Sequence, residues 1–235
     1  AELRASEPLI DMAMMRLRGV WTTNLAGFLL GAGMFASFIL IPQFVEAPTS
    51  TGYGFGVSVL GGALFLLPAT IAMLVVGVVA GRIAKRFGSK AALVMGALAS
   101  TASFVLLVFA HSRQWHVYTS MGLLGVGIGL AFAAMANLIV QAVPPGQTGV
   151  ATGMNTVMRS VGGAVGGQIA ATVVAGHVLR SGLPAAHGYV LAFSMSLGFM
   201  AVCSLASLLV PGKRATAASG GPAGQAHVGQ PALAE

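Results

Sequence analysis

The chain has 235 residues, 56% of them hydrophobic and only 7% charged, with 12 Lys+Arg against 5 Asp+Glu. A soluble domain carries about a quarter charged residues, so there is too little charge here to dress a surface in water. That excludes a soluble enzyme, a secreted disulfide scaffold and a disordered chain, and a mean hydropathy of +0.88 leaves the membrane class.

In chain order, residues 1–18 form a charged, proline-interrupted lead-in, Ala1-Glu-Leu-Arg-Ala-Ser-Glu-Pro-Leu-Ile-Asp-Met12, that does not read as a signal peptide. The start at Ala1 suggests a fragment. Ionisable residues then separate charge-free tracts: Gly19–Val45, Ala47–Gly81, Ala91–Ser112, Gln114–Met158, Ser160–Leu179 and Ser181–Gly212. About 20 apolar residues in a helix cross a hydrocarbon core of roughly 30 Å. Backbone in lipid must satisfy its own hydrogen bonds, so tracts of this length predict helices. The expected fold is all-α and integral to the membrane: a bundle over residues 19–210 with spans at 20–41, 57–80, 91–110, 117–140, 152–175 and 189–210. Pro144-Pro145-Gly146 divides the longest tract. Pro68 falls in the middle of the second expected span, where it predicts a kink or, less commonly, a pivot. Residues 211–235, rich in Gly, Ala, Pro and Gln, predict a disordered cytoplasmic tail.

Basic residues set the orientation. With the amino end inside, Arg4, Arg16, Arg18, Arg82, Lys85, Arg86, Lys90, Lys213 and Arg214 are cytoplasmic, and Arg159 joins them near its span's start. Only Arg113 and Arg180, with Glu46, lie outside, so both termini are expected in the cytoplasm of a cell whose plasma membrane holds the chain. Basic residues scattered between apolar tracts imply no nucleic-acid partner, despite the net charge of +7. The single cysteine, Cys203, permits no internal disulfide, and no Cys/His spacing suggests a metal. No cofactor is expected. The run Gly122-Leu-Leu-Gly125-Val-Gly127-Ile-Gly129 imitates a dinucleotide fingerprint, but it lies in a membrane tract rather than after a strand.

Glycines four apart place small residues on one helix face: Gly27/Gly31, Gly77/Gly81, Gly125/Gly129, Gly162/Gly166 and Gly163/Gly167. Close helix packing is the plain expectation, and rocking of such faces during transport is the sharper one. No Asp or Glu lies inside an expected span, so neither an intramembrane proton site nor a catalytic pair is visible, and an enzyme is not expected. Arg159 alone enters the bilayer, either snorkelling to the interface or acting as a gate latch. Asn24, Asn137, Gln141, Asn155 and Gln168 are polar groups expected to face the bundle interior and to line a path with it.

The segment Gly81-Arg82-Ile83-Ala84-Lys85-Arg86-Phe87-Gly88-Ser89-Lys90 resembles the basic loop motif of the major facilitator superfamily, with Lys85 where the family favours Asp. Val143-Pro-Pro-Gly-Gln-Thr-Gly-Val-Ala-Thr-Gly-Met-Asn155, Arg159 and Gly162-Gly163 resemble the penultimate-span region of the family's drug-exporter branch. Glu7-Pro-Leu-Ile-Asp11 resembles the lead-in to the carboxyl-terminal bundle of its fourteen-span members. The resemblance implies the carboxyl-terminal six-helix half of a proton-coupled multidrug or metabolite exporter working by alternating access. Its partners would be the lipid bilayer, an amino-terminal six-helix half, protons and a small hydrophobic or amphipathic substrate. The alternatives are a self-pairing six-span carrier and a non-transporting membrane scaffold. The scaffold reading gains if Asn155 and Gln168 pack dry. Phe35, Phe38, Phe65, Phe104 and Phe132 are aromatic positions that read first as packing or lipid contacts.

Overall fold

The computed structural model describes residues 15–179 and 182–211. Most of the expected lead-in, with Arg4 and Asp11, lies outside the described residues, as do Arg180, the tail from residue 212 onward, Lys213 and Arg214. Among the described residues seven α-helices follow one another: α1 Arg18–Glu46, α2 Val59–Leu64, α3 Leu67–Phe87, α4 Ser89–Phe109, α5 Gln114–Ala142, α6 Thr148–Ala175 and α7 Ala186–Leu209. With α2 and α3 counted together, six segments are long and apolar enough to cross a membrane.

The helices outrun several of the hydrophobic tracts that announce them. α1 continues through Pro42 to Glu46, α3 to Phe87, and α6 begins at Thr148 rather than at residue 152. Charge does not stop a helix. The basic segment is therefore not a loop: Gly81, Arg82, Lys85 and Arg86 ride the last two turns of α3, where cations suit the carbonyl end of the helix dipole. Only Gly88, at φ +87°, separates α3 from α4. A residue with a Cβ resists that conformation.

Pro68 does not kink the middle of a continuous helix. The break lies just before it, at Phe65-Leu66, where the amides turn back to Gly62 and Ala63 with i→i−3 bonds. Pro68 then sits in the first turn of α3, a position that has no intrahelical donor to lose. Because the helix runs on to Phe87, the proline lies toward one end of the span rather than at its centre.

Packing follows a two-fold plan. α1 lies along α6 as α5 lies along α3; α4 meets α5 as α7 meets α1; α6 meets α7 as α3 meets α4. Contacts between α1 and α5 and between α4 and α7 lie on the axis of this arrangement. The α1–α6 seam and its equivalent, α3–α5, are glycine seams. A Cβ on Gly162 would overlap the Phe28 carbonyl, one on Gly166 the Ala32 carbonyl, and one on Gly31 the Arg159 carbonyl. On the equivalent seam a Cβ on Gly125 would overlap the Ala69 carbonyl, and one on Gly129 would stand 3.0 Å from that of Met73. Gly163 and Gly167 accept the side chains of Phe35 and Ile39. Gly77 and Gly81 differ from the other pairs, since a Cβ on either meets nothing within 4 Å.

Between α4 and α5, Ser103 and Ser120 are both buried and each donates its hydroxyl to the other's carbonyl, both at 2.8 Å. This satisfies groups that lipid would leave stranded. Thr101 and Ser204 join α4 to α7 at 3.0 Å.

The two ends of the bundle differ in chemistry. One end gathers Arg16, Arg18, Arg82, Lys85, Arg86 and Lys90; there Lys90 donates to the Leu208 carbonyl (2.7 Å) and Gln141 to the Ser89 hydroxyl (3.3 Å). The other end is aromatic. Phe44 packs on Tyr53, Phe55, His111, Tyr189 and Phe193, with ring centroids 5.3–6.2 Å away. The Tyr53 hydroxyl donates to the Pro184 carbonyl at 2.7 Å, tying two connecting segments together. Burial pushes that loop hydroxyl above the ordinary phenolic range.

Candidate functional site

The polar residues singled out from sequence fall into four places. Asn24 on α1 and Asn155 on α6 are buried against each other. Asn155 Nδ2 donates to the Thr23 carbonyl at 3.2 Å and to Asn24 Oδ1 at 3.1 Å, while Asn24 Nδ2 is buried without a partner. Gly27 makes room for this pair, since a Cβ there would stand 2.8 Å from Asn155 Nδ2. Such interhelical amide bonds contribute on average about 0.6 kcal/mol in membrane bundles. Asn24 and Asn155 thus join two helices instead of lining an open path.

Asn137 and Gln141 lie elsewhere, exposed on the last turns of α5 beside the α3–α4 turn. Gln168 is exposed on α6 and leans on Thr172 of its own helix. Asn155 therefore packs dry and Gln168 does not, a split that gives the scaffold reading only half of its condition.

Arg159 forms the fourth place. Its carbonyl rests against α1 at Gly31, and its guanidinium lies over the Phe132 ring of α5, 4.1 Å from the centroid. Three helices therefore meet at one cation. The residue is partly buried. Because α6 starts at Thr148, Arg159 stands close to the helix midpoint, about 4 Å from it at 1.5 Å per residue. Snorkelling expected of a residue near a span's start does not describe this geometry: the side chain lies across the bundle onto an aromatic face. Glu46 is the only acid among the described residues. It lies at the far end of α1, roughly 22 Å along the helix from Gly31 by helical rise. Phe132 supplies the attraction of its ring face in place of a carboxylate.

Sequence reasoning had placed Phe132 among bland aromatic positions and had no signal for its stacking partner. Of the other aromatics, Phe65 and Phe104 are buried in the core, Phe35 covers Gly163, and Phe38 is exposed. The aromatic closure around Phe44 went unread, since its members come from α1, two connecting segments and α7.

Comparison with known proteins agrees with this architecture. The family model described as Major Facilitator Superfamily matches residues 3–167. Multidrug transporter protein MdtP of Bacillus subtilis is 27% identical over 153 residues, covering 64% of this chain and 27% of that protein. The methylenomycin A resistance protein of Streptomyces coelicolor is 30% identical over 153 residues, covering 64% of this chain and 31% of its own. The chain thus spans less than a third of either relative. In fold, a variant of the nucleoside transporter NupG matches with a TM-score of 0.69 at 16% identity, over 84% of this chain and 50% of that one. A variant of the peptide transporter POT, bound to alafosfalin, matches at 0.67 and 16% identity, over 81% and 38%. Six apolar spans, a two-fold packing plan and a family match over more than two thirds of the residues converge on one assignment: the chain belongs to the Major Facilitator Superfamily, a family of membrane transporters and not of enzymes.

Proposed function

We propose that this chain acts as the carboxyl-terminal six-helix half of a proton-coupled multidrug or metabolite efflux permease of the fourteen-span drug-exporter branch. It would work by alternating access against an amino-terminal six-helix half. The observation that carries the reading is Arg159, a cation near the middle of α6 with no acid beside it among the described residues. A charge so placed is costly against lipid and marks a ligand or ion path. The face formed by α1, α5 and α6 would then be one wall of a cavity for small hydrophobic or amphipathic molecules, with Arg159 and Phe132 on it.

Two further observations support a missing partner bundle. α3 and α6 are the least covered of the long helices, and Gly77, Gly81 and Gly153 face open space. Small exposed residues on an apolar helix suit a second helix more than they suit lipid. The relatives named above are also far longer than the part matched here. Proton coupling would use acids of the other half, because the spans described here carry none inside the bundle.

Reconstituted alone in liposomes, the chain is expected to give no ethidium efflux driven by a pH gradient. Gradient-driven efflux from the chain by itself would remove the half-transporter reading.

We place the chain in the plasma membrane with both termini cytoplasmic, on the crowding of basic residues at the Lys85 end. Cys203 is buried, so the wild-type thiol is expected to stay silent to a membrane-impermeant maleimide. In intact cells Arg113→Cys should label from outside and Lys85→Cys should not. The opposite pattern would reverse the topology.

A further inference from the structure

We propose that the cleft between the α3–α4 turn and the end of α5 binds the phosphate headgroup of an anionic glycerophospholipid. The cleft measures about 880 Å³ and is lined by Gly81, Lys85, Ser89, Lys90, Asn137 and Gln141, with Met95 toward the bilayer. These residues come from two stretches, 81–95 and 137–141, that only the fold brings together.

Its chemistry suits a phosphate diester. Lys85 is exposed, and the only acid among the described residues, Glu46, lies at the opposite end of the bundle. Lys90 uses one of its three N–H donors on the Leu208 carbonyl, at 2.7 Å, which fixes the ammonium in place with two donors free. The Ser89 hydroxyl accepts from Gln141 at 3.3 Å, so its own proton is available to an anion. Asn137 adds an amide at the wall. Two cations with neutral donors between them, and no acid, select a negative group.

Its shape favours a lipid over a free anion. A water molecule occupies about 30 Å³, so a lone phosphate would leave most of the cleft empty, whereas a headgroup with its glycerol would fill far more. Below the cleft the surface turns apolar and exposed: Val78 on α3 is 70% accessible and Leu98 on α4 is 54%. These lie about one helical turn from Gly81 and Met95, away from the α3–α4 turn, where acyl chains attached to a seated headgroup would run. Basic pockets between membrane helices are general sites for anionic headgroups.

The geometry separates this site from diffuse attraction, because Arg82 and Arg86 belong to the same basic segment but do not line the cleft. The test is native mass spectrometry of the purified full chain with equal amounts of phosphatidylglycerol and phosphatidylcholine of identical acyl chains. Phosphatidylglycerol adducts should dominate. Lys85→Gln should reduce them by about tenfold, the order expected for one lost charge-assisted contact, and Lys85→Arg should restore most of the binding. Arg82→Gln, with the same change in charge, should leave them unchanged. Asn137→Leu, which keeps every charge, should also weaken retention and covers the case in which Lys85→Gln fails to fold. Equal losses in Lys85→Gln and Arg82→Gln would overturn the site, as would equal retention of phosphatidylcholine. Displacement of the lipid by millimolar inorganic phosphate would reassign it to a free anion.

Discussion

The double substitution Gly162→Ala/Gly166→Ala is expected to destabilise the bundle by about 2–6 kcal/mol, taking roughly 1–3 kcal/mol for each overpacked position. Helix propensity alone predicts the reverse, since alanine in a helix interior is better than glycine by about 0.5–1 kcal/mol. The seam decides the sign. Both added methyl groups would overlap main-chain carbonyls of α1, at Phe28 and Ala32, and backbone has no rotamer with which to step aside. The two helices must move apart, and the Asn155–Asn24 bond depends on their spacing. Gly77→Ala/Gly81→Ala is the matched control, with the same chemistry and open space around both positions. It should be neutral or slightly stabilising. Thermal melting of the purified variants in one detergent measures both, and similar melting temperatures for the two pairs would refute the seam.

Arg159→Gln should lower transport by about 10–100-fold in a full transporter carrying this half, the range expected for losing one interaction with a charged group. Its melting temperature should hold or rise. An unpaired cation near the centre of a membrane helix costs about 2.5–3.5 kcal/mol on insertion scales, and the ring contact with Phe132 returns only about 0.5–2 kcal/mol. Removing the charge therefore relieves more than it takes away. Arg159→Lys keeps the charge but not the flat guanidinium that lies on the ring, so intermediate transport is expected. Transport rates by substrate efflux and stability by thermal melting must be read together: loss of stability with normal transport would make Arg159 a structural residue only.

Hydrophobic length made the six spans readable, because the bilayer imposes a single physical requirement on every one of them. The ends were less readable. A helix stops where backbone geometry changes, as at Gly88, and charge alone did not stop α3 at Arg82 or Lys85. Misplacing the end of α3 also misplaced Pro68, which looked central only because the span was cut short. Four-residue glycine spacing marked faces able to pack but carried no information about what lies opposite: Gly162 and Gly166 meet α1, whereas Gly77 and Gly81 meet nothing. The candidate site was legible as a set of residue types and illegible as a set of pairs. Asn155 meets Asn24 across 131 positions of sequence, and Arg159 finds Phe132 on a different helix. No periodicity within one helix encodes such meetings.

The single-glycine turn at Gly88 leaves no slack between α3 and α4. Any axial displacement of α3 is passed at once to the first turn of α4. Lys90 stands in that turn with its ammonium fastened to the Leu208 carbonyl in the last turn of α7. Three rods are in this way geared together at one end, so a push on the outermost of them would be felt at the last.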